Sequence, residues 1–155
     1  MPNHCYNRVT ISARDGKEDQ FKKLVEIFES DTPFETLYPS PDWPNTPNDK
    51  GELPELREMK NSKGEVFTTT YEFPGGINDD RWYHWRVHHW GTKWEAYDQS
   101  EGDIDKECGY AEFTFNTAWA PAEGIYNVIV EKFPDVGISW FYDEPGCELA
   151  GYLPD

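Results

Sequence analysis

Seven of the chain's twelve prolines fall between residues 31 and 80, at Pro33, Pro39, Pro41, Pro44, Pro47, Pro54 and Pro74. Proline fixes φ and lacks an amide donor, so regular helix cannot run through this section and extended or turn segments are expected in its place. The fold must therefore be assembled from the residues before 31 and after 80, with 31–80 as an irregular insertion. One stretch inside it departs from the rule. Glu65-Val66-Phe67-Thr68-Thr69-Thr70-Tyr71-Glu72-Phe73 is β-branched and aromatic and reads as an accessory strand. Tyr38 and Trp43 are expected to pin the section to the core. Long insertions on small domains often carry recognition.

The flanks show two alternating periods. Val9, Ile11 and Ala13 alternate with Thr10 and Ser12, which predicts a strand over 5–13 with a turn at Asp15-Gly16. Phe21, Leu24, Val25 and Phe28 then recur at helical spacing, predicting a helix over 17–30 with Glu18 and Asp19 at its positive end. Beyond the insertion, residues 81–98 hold four of the seven tryptophans and three of the four histidines. Asn78-Asp79-Asp80 suits a helix start, Trp82, Trp85 and His89 share a stripe, and Gly91 ends the helix. Trp94, Ala96 and Asp98 are read as a second strand, followed by an acidic turn from Gln99 to Glu107. A third strand follows over Cys108 to Trp119, with Ala111, Phe113 and Phe115 on one side.

A second amphipathic helix is expected from Pro121, at its first helical position, to Phe133, with Ile125, Val128, Ile129 and Phe133 as its apolar stripe. Val136, Ile138, Trp140 and Tyr142 make a fourth strand, and Glu148 to Tyr152 returns as a fifth, closing a hairpin. Without the insertion and the last strand, the order is β-α-β-β-α-β. That pattern belongs to the α+β class: an antiparallel sheet with two helices on one face, here within one domain spanning 1–155. Trp82, Trp85, Trp90 and Trp94, with Trp119 and Trp140 from other elements, are expected to make an aromatic core.

Charge narrows the partners. Acids outnumber bases 30 to 14, for a formal charge of −16, which opposes direct nucleic-acid binding because phosphates are held by Lys and Arg. The plain reading of the excess is solubility, and the sharper one is a face complementary to a basic partner. No apolar run approaches the roughly 20 residues needed to cross a bilayer, and the first residues lack the regions of a secretory leader, so no membrane role and a cytoplasmic setting are expected. Three cysteines without C-x-x-C spacing, Cys5, Cys108 and Cys147, read as buried free thiols.

Four blocks of sequence carry a resemblance. Met1-Pro2-Asn3-His4 with Asn7-Arg8-Val9-Thr10-Ile11, then Trp90-Gly91-Thr92-Lys93-Trp94, Phe115-Asn116-Thr117-Ala118-Trp119-Ala120-Pro121, and Glu131-Lys132-Phe133-Pro134 occur in the order seen in the YubB-type ferredoxin-like proteins of phages, plasmids and genomic islands, which the chain resembles at both ends and the centre but not over 31–80. The resemblance implies a ferredoxin-like fold and a mobile-element origin. It implies no activity and no functional residues. Ala120 stands where that family usually has Ser, removing a hydroxyl cap at a cost of about 1 kcal/mol, and Asn116 replaces a usual Asp.

Candidate sites follow. His84 and His88 stand at i, i+4 beside His89, Asp79 and Asp80, a spacing that can serve zinc, but Trp85 occupies the position where a metalloprotease helix carries its general base. No cofactor is expected. Residues 101–107 alternate oxygens without the glycine and glutamate register of a calcium loop. His4 adjoins Cys5, but neighbours on a strand face opposite ways. Phosphate-cradling glycine loops and nucleophile elbows are absent. The leading expectation is a non-enzymatic protein that binds and modulates a host or defence-system protein with a basic surface, nucleic-acid mimicry being one form of this. Asp98, Glu101, Asp103, Asp105 and Glu107 are its contact residues. The alternative is a nucleotide or small-molecule binder, with Trp85 stacking and Arg86 or Lys93 meeting phosphates. A third reading is an enzyme with His84, His88 or His89 as base.

Overall fold

The computed structural model describes residues 3–154. In chain order its elements are β1 (His4–Ala13), α1 (Glu18–Glu29), α2 (Pro33–Leu37), a 3-10 turn at Trp43–Asn45, β2 (Glu55–Lys60), β3 (Val66–Phe73), β4 (Ile77–Asn78), α3 (Arg81–His89), β5 (Tyr97–Asp105), β6 (Tyr110–Ala118), α4 (Glu123–Lys132), β7 (Val136–Glu144) and β8 (Leu149–Tyr152). They gather into two compact units, Met1–Pro39 with Arg86–Asp155, and Ser40–Trp85, and the division falls inside α3.

The larger unit is built on an antiparallel sheet ordered β5-β6-β1-β7-β8. Tyr6 lies between Asn116 and Asp143, and Val9 between Phe113 and Trp140. With α1 and α4 as crossovers this is the ferredoxin-like β-α-β-β-α-β arrangement, extended by β8 at one edge. Period-two alternation sends Cys5, Asn7, Val9 and Ile11 of β1 and Ala111, Phe113, Phe115 and Thr117 of β6 to one buried face. Onto it α1 lays Phe21, Leu24, Val25 and Phe28, with the Phe28 ring stacked 5.5 Å from Phe113. Helix α4 adds Ile125 and Ile129, and its Tyr126 meets Trp140 edge-on. Phe34 of α2 wedges between Trp90 and Phe115, at 5.8 and 5.7 Å. Each such side chain contributes about 1.5–3 kcal/mol on leaving water.

A buried polar network ties these strands together and accounts for several of the sequence blocks quoted above. Asn7 donates from Nδ2 to the Cys5 carbonyl (3.0 Å) and to Thr117 Oγ1 (2.9 Å), and its Oδ1 accepts from the Trp140 indole at 2.9 Å. Thr117 passes its own proton to the Ala120 carbonyl at 2.6 Å, and Thr92 donates to the Ala118 carbonyl at 2.8 Å. Two glycines are required by backbone contact. Gly91 has φ +90, with Glu123 N 3.0 Å from where a Cβ would stand, and a Cβ on Gly124 would lie 1.7 Å from the His89 carbonyl oxygen.

Several expectations are corrected. The second strand begins at Tyr97, not Trp94, and the stretch read as an acidic turn is strand to Asp105, because it pairs with β6 as the sheet's edge; the turn proper is 106–109. Helix α4 begins at Glu123: the Glu123 amide donates to the Pro121 carbonyl and the Gly124 amide to the Trp90 carbonyl, so Pro121 sits in the entry turn. Residues 33–37 are helical despite the proline density, because Pro33 occupies the start of α2, where no amide is needed, and Glu95 accepts from the Phe34 and Glu35 amides at 2.9 Å each. Only Cys5 is buried; Cys108 and Cys147 are free and exposed. Of the tryptophans only Trp90 and Trp140 are core residues, while Trp119 is 47% exposed and Trp82, Trp85 and Trp94 are half-buried.

The smaller unit holds a second antiparallel sheet, ordered β2-β3-β4, so the accessory strand read at 65–73 is present with partners on both sides. Arg81 organises it. The guanidinium lies over the rings of Trp43 (4.9 Å) and Phe73 (5.0 Å), bonds both Asp79 carboxylate oxygens at 2.9 Å, and donates to the carbonyls of Trp43, Thr46 and Pro47. It holds the Asp79 carboxyl below its ordinary range.

Candidate functional site

Strand β5 is an outer strand of the five-stranded sheet, and most of its residues are exposed. Its pairing with β6 slips twice, between Tyr97 and Ser100 and between Glu101 and Ile104. Between residues 95 and 112 the chain carries seven carboxylates and one ammonium, Lys106, which is held 3.5 Å from Glu29 of α1. An edge strand with bulges and charges resists addition of another strand. This edge therefore offers side-chain charge rather than backbone pairing.

The five acids read from sequence divide by role. Asp105 is committed to the turn, since Oδ1 accepts the amides of Glu107 (3.1 Å) and Cys108 (3.0 Å), which lowers its pKa, while the Asp105 carboxylate, hydrogen-bonded to the Cys108 thiol and negatively charged beside it, raises that thiol's. Asp98 has φ +51 and accepts from Asn116 Nδ2 at 3.2 Å. Glu101, Asp103 and Glu107 are exposed and hold no ion pair among the described residues. Glu101 also lines a cleft of about 190 Å3 with Glu29, Asp31 and Gln99 at the end of α1. Helix α1 has no basic residue in its last turn, so the negative end of its dipole adds to these carboxylates. From β6, Glu112 reaches over the strand to within 2.7 Å of where a Gly102 Cβ would be.

The seventh carboxylate, Glu95, is structural. Burial raises its pKa, and the three amides it accepts offset part of that rise. Arg86 and Lys93, the phosphate candidates, are engaged in ring contacts: Arg86 lies 4.6 Å over Trp90 and donates to the Lys93 carbonyl, and Lys93 sits 4.7 Å over Trp94. Trp85 belongs to the smaller unit and Arg86 and Lys93 to the larger. His84 and His88 are exposed on α3, and no group of three or more His, Cys, Asp or Glu is placed to hold a metal among the described residues. Cys5 faces the core, and burial pushes its thiol up to about 11, which suits a packing role and not a nucleophile.

Sequence reasoning missed two groups. On the sheet face away from the helices, Arg8 lies 5.2 Å over Phe141, whose ring is 5.4 Å from that of the exposed Tyr152. The signal was available: in Trp140-Phe141-Tyr142 every position is aromatic, so both faces of β7 carry rings. The other group is Glu144, 1% exposed, with Trp119, held at φ +69. Nothing in Glu144-Pro145-Gly146 distinguishes a buried carboxylate from a turn residue.

No helix among the described residues is long and apolar enough to cross a membrane. No curated protein and no solved structure matches the chain. Residues 89–153, the stretch from the end of α3 into the residue after β8, match the family described as the ferredoxin-like domain in Api92-like protein.

Proposed function

We propose that this chain is a non-enzymatic binding protein of a phage or other mobile element, working in the bacterial cytoplasm, that docks a basic surface of a host or defence protein on the acidic edge formed by β5. The observation that carries this reading is the exposure of Glu101, Asp103 and Glu107 on an edge strand, without a cationic partner among the described residues. The four sequence blocks support the mobile-element origin, and the formal charge of −16 supports a cationic partner.

Exposed ion pairs are individually weak, about 0.2–1 kcal/mol each. A row of like charges acts chiefly on encounter: it steers a basic partner, orients it, and loses force as salt screens it. A nucleic-acid mimic would work this way, presenting carboxylates where the partner expects phosphates. The test is affinity capture from host extract on the tagged full chain, beside the triple variant Glu101→Lys, Asp103→Lys, Glu107→Lys. A stoichiometric partner that wild type retains at low salt, and that both high salt and the triple variant release, is expected. Equal capture by the two proteins would contradict the proposal.

A further inference from the structure

Seven of the fifteen exposed large apolar side chains among the described residues lie between Leu53 and Ile77, in the smaller unit. Four of them share one face of the sheet β2-β3-β4. The register sets Leu56 beside Tyr71 and Ile77 beside Phe73, and alternation along β3 brings Phe67 to the same side. The opposite side is polar: Arg57 bonds Glu72 at 2.9 Å, with Glu55 and Thr70 as their strand partners. The Arg81 guanidinium lies over the Phe73 end of the apolar face. Beyond it, Leu56, Phe67, Tyr71 and Ile77 stand 54, 63, 40 and 65% exposed.

We propose that this face is an interface between two copies of the chain, stacked sheet on sheet about a twofold axis. Charge selects the occupant. Between residues 55 and 72 four acids, Glu55, Glu58, Glu65 and Glu72, are nearly balanced by three bases, Arg57, Lys60 and Lys63, so nearly all of the formal −16 lies elsewhere in the chain. Two such chains repel over most of their surfaces and approach most easily here. A basic partner finds no net attraction on this sheet, whereas an identical chain brings the same apolar face to meet it across a twofold axis. Contiguous apolar surface of this kind marks interaction sites. Its size fits a weak dimer. Half-exposed side chains of these types leave roughly 100 Å2 each, and four from either copy, with the stems around them, bury roughly 1,000 Å2 in total, at the small end of specific interfaces. Such an area supports reversible association with a dissociation constant of roughly 10–100 µM.

The proposal is independent of the acidic edge and responds to salt with the opposite sign: screening weakens attraction to a basic partner but relieves repulsion between two acidic copies. Its test is sedimentation equilibrium of the full chain from about 5 to 500 µM, bracketing the expected constant, at low and high salt. The comparison is the double variant Phe67→Thr, Ile77→Thr, in which threonine keeps the strand preference and removes apolar surface. A monomer–dimer equilibrium that tightens with salt is expected for wild type, weakened at least about tenfold in the double variant and retained in the β5 triple variant. Amide shifts of the 15N-labelled chain that follow dilution should gather on residues 56–77. Should the double variant lose the small sheet, Leu56→Lys carries the same test. A monomer at every concentration and salt would overturn the proposal, as would a dimer that these variants leave intact or whose shifts fall outside 56–77. Shifts of 56–77 on phosphatidylcholine vesicles, in a chain that stays monomeric, would assign the face to a lipid surface and overturn it equally.

Discussion

Asn7 sits at the junction of three strands, and its amide completes the hydrogen bonding of Thr117 and Trp140 at once. Replacing it by alanine leaves the buried Trp140 indole N–H without its acceptor, so Asn7→Ala should lose about 2–4 kcal/mol in urea unfolding. A loss below about 0.5 kcal/mol would show that the network relaxes around the gap. Beside it, Cys5 makes a pH-dependent contribution. The folded thiol keeps its proton to about pH 11, whereas the unfolded thiol releases it near its ordinary value of 9.0. The unfolded state therefore binds fewer protons between these limits, and stability present below pH 9 declines as pH rises toward 11. Cys5→Ala should flatten that decline in alkaline melts while lowering stability at neutral pH. The alternation of Val9 and Ile11 was legible because their neighbours in sequence alone set it. Asn7 was not, because its partners lie more than a hundred residues away.

Elements follow the same division. Helix α1 was legible because Phe21, Leu24, Val25 and Phe28 share one face, and all four are buried. Helix α2 was hidden among the surrounding prolines because the carboxylate that satisfies its first amides arrives from Glu95. Strand β2 was hidden by Glu55, Arg57, Glu58 and Lys60, which mask the alternation, and its pairing is visible only beside β3. Strand β5 was misread as a turn for the same reason: on an edge, charge is compatible with strand. In the smaller unit, Arg81 gathers two rings, three carbonyls and Asp79, so Arg81→Met should speed amide exchange across β3 and β4 by about tenfold or more while leaving β1 and β6 protected. Acid should act in the same direction. The depressed Asp79 pKa means its contribution is present above the ordinary value of 3.8 and is lost as pH falls through the folded value. Unchanged exchange in Arg81→Met would remove Arg81 as the organiser of this sheet.

For the whole molecule, charge and fold separate. The β-α-β-β-α-β order was readable from periodicity, and the sheet order and the match over 89–153 agree with it. The acidic excess was equally readable, but only the structure divides Asp105 and Glu95, spent on a turn and a helix start, from Glu101, Asp103 and Glu107, which remain at the surface. We propose that these three carboxylates guide a basic partner. It is tested most directly by the association rate of the captured partner with the full chain, measured across a range of ionic strength for wild type and for the Glu101→Lys, Asp103→Lys, Glu107→Lys variant. Expected are a wild-type rate that falls by about tenfold or more from low to high salt, and a variant rate that is slow throughout and nearly flat. Superimposable rates for the two proteins, or a wild-type rate indifferent to salt, would contradict it.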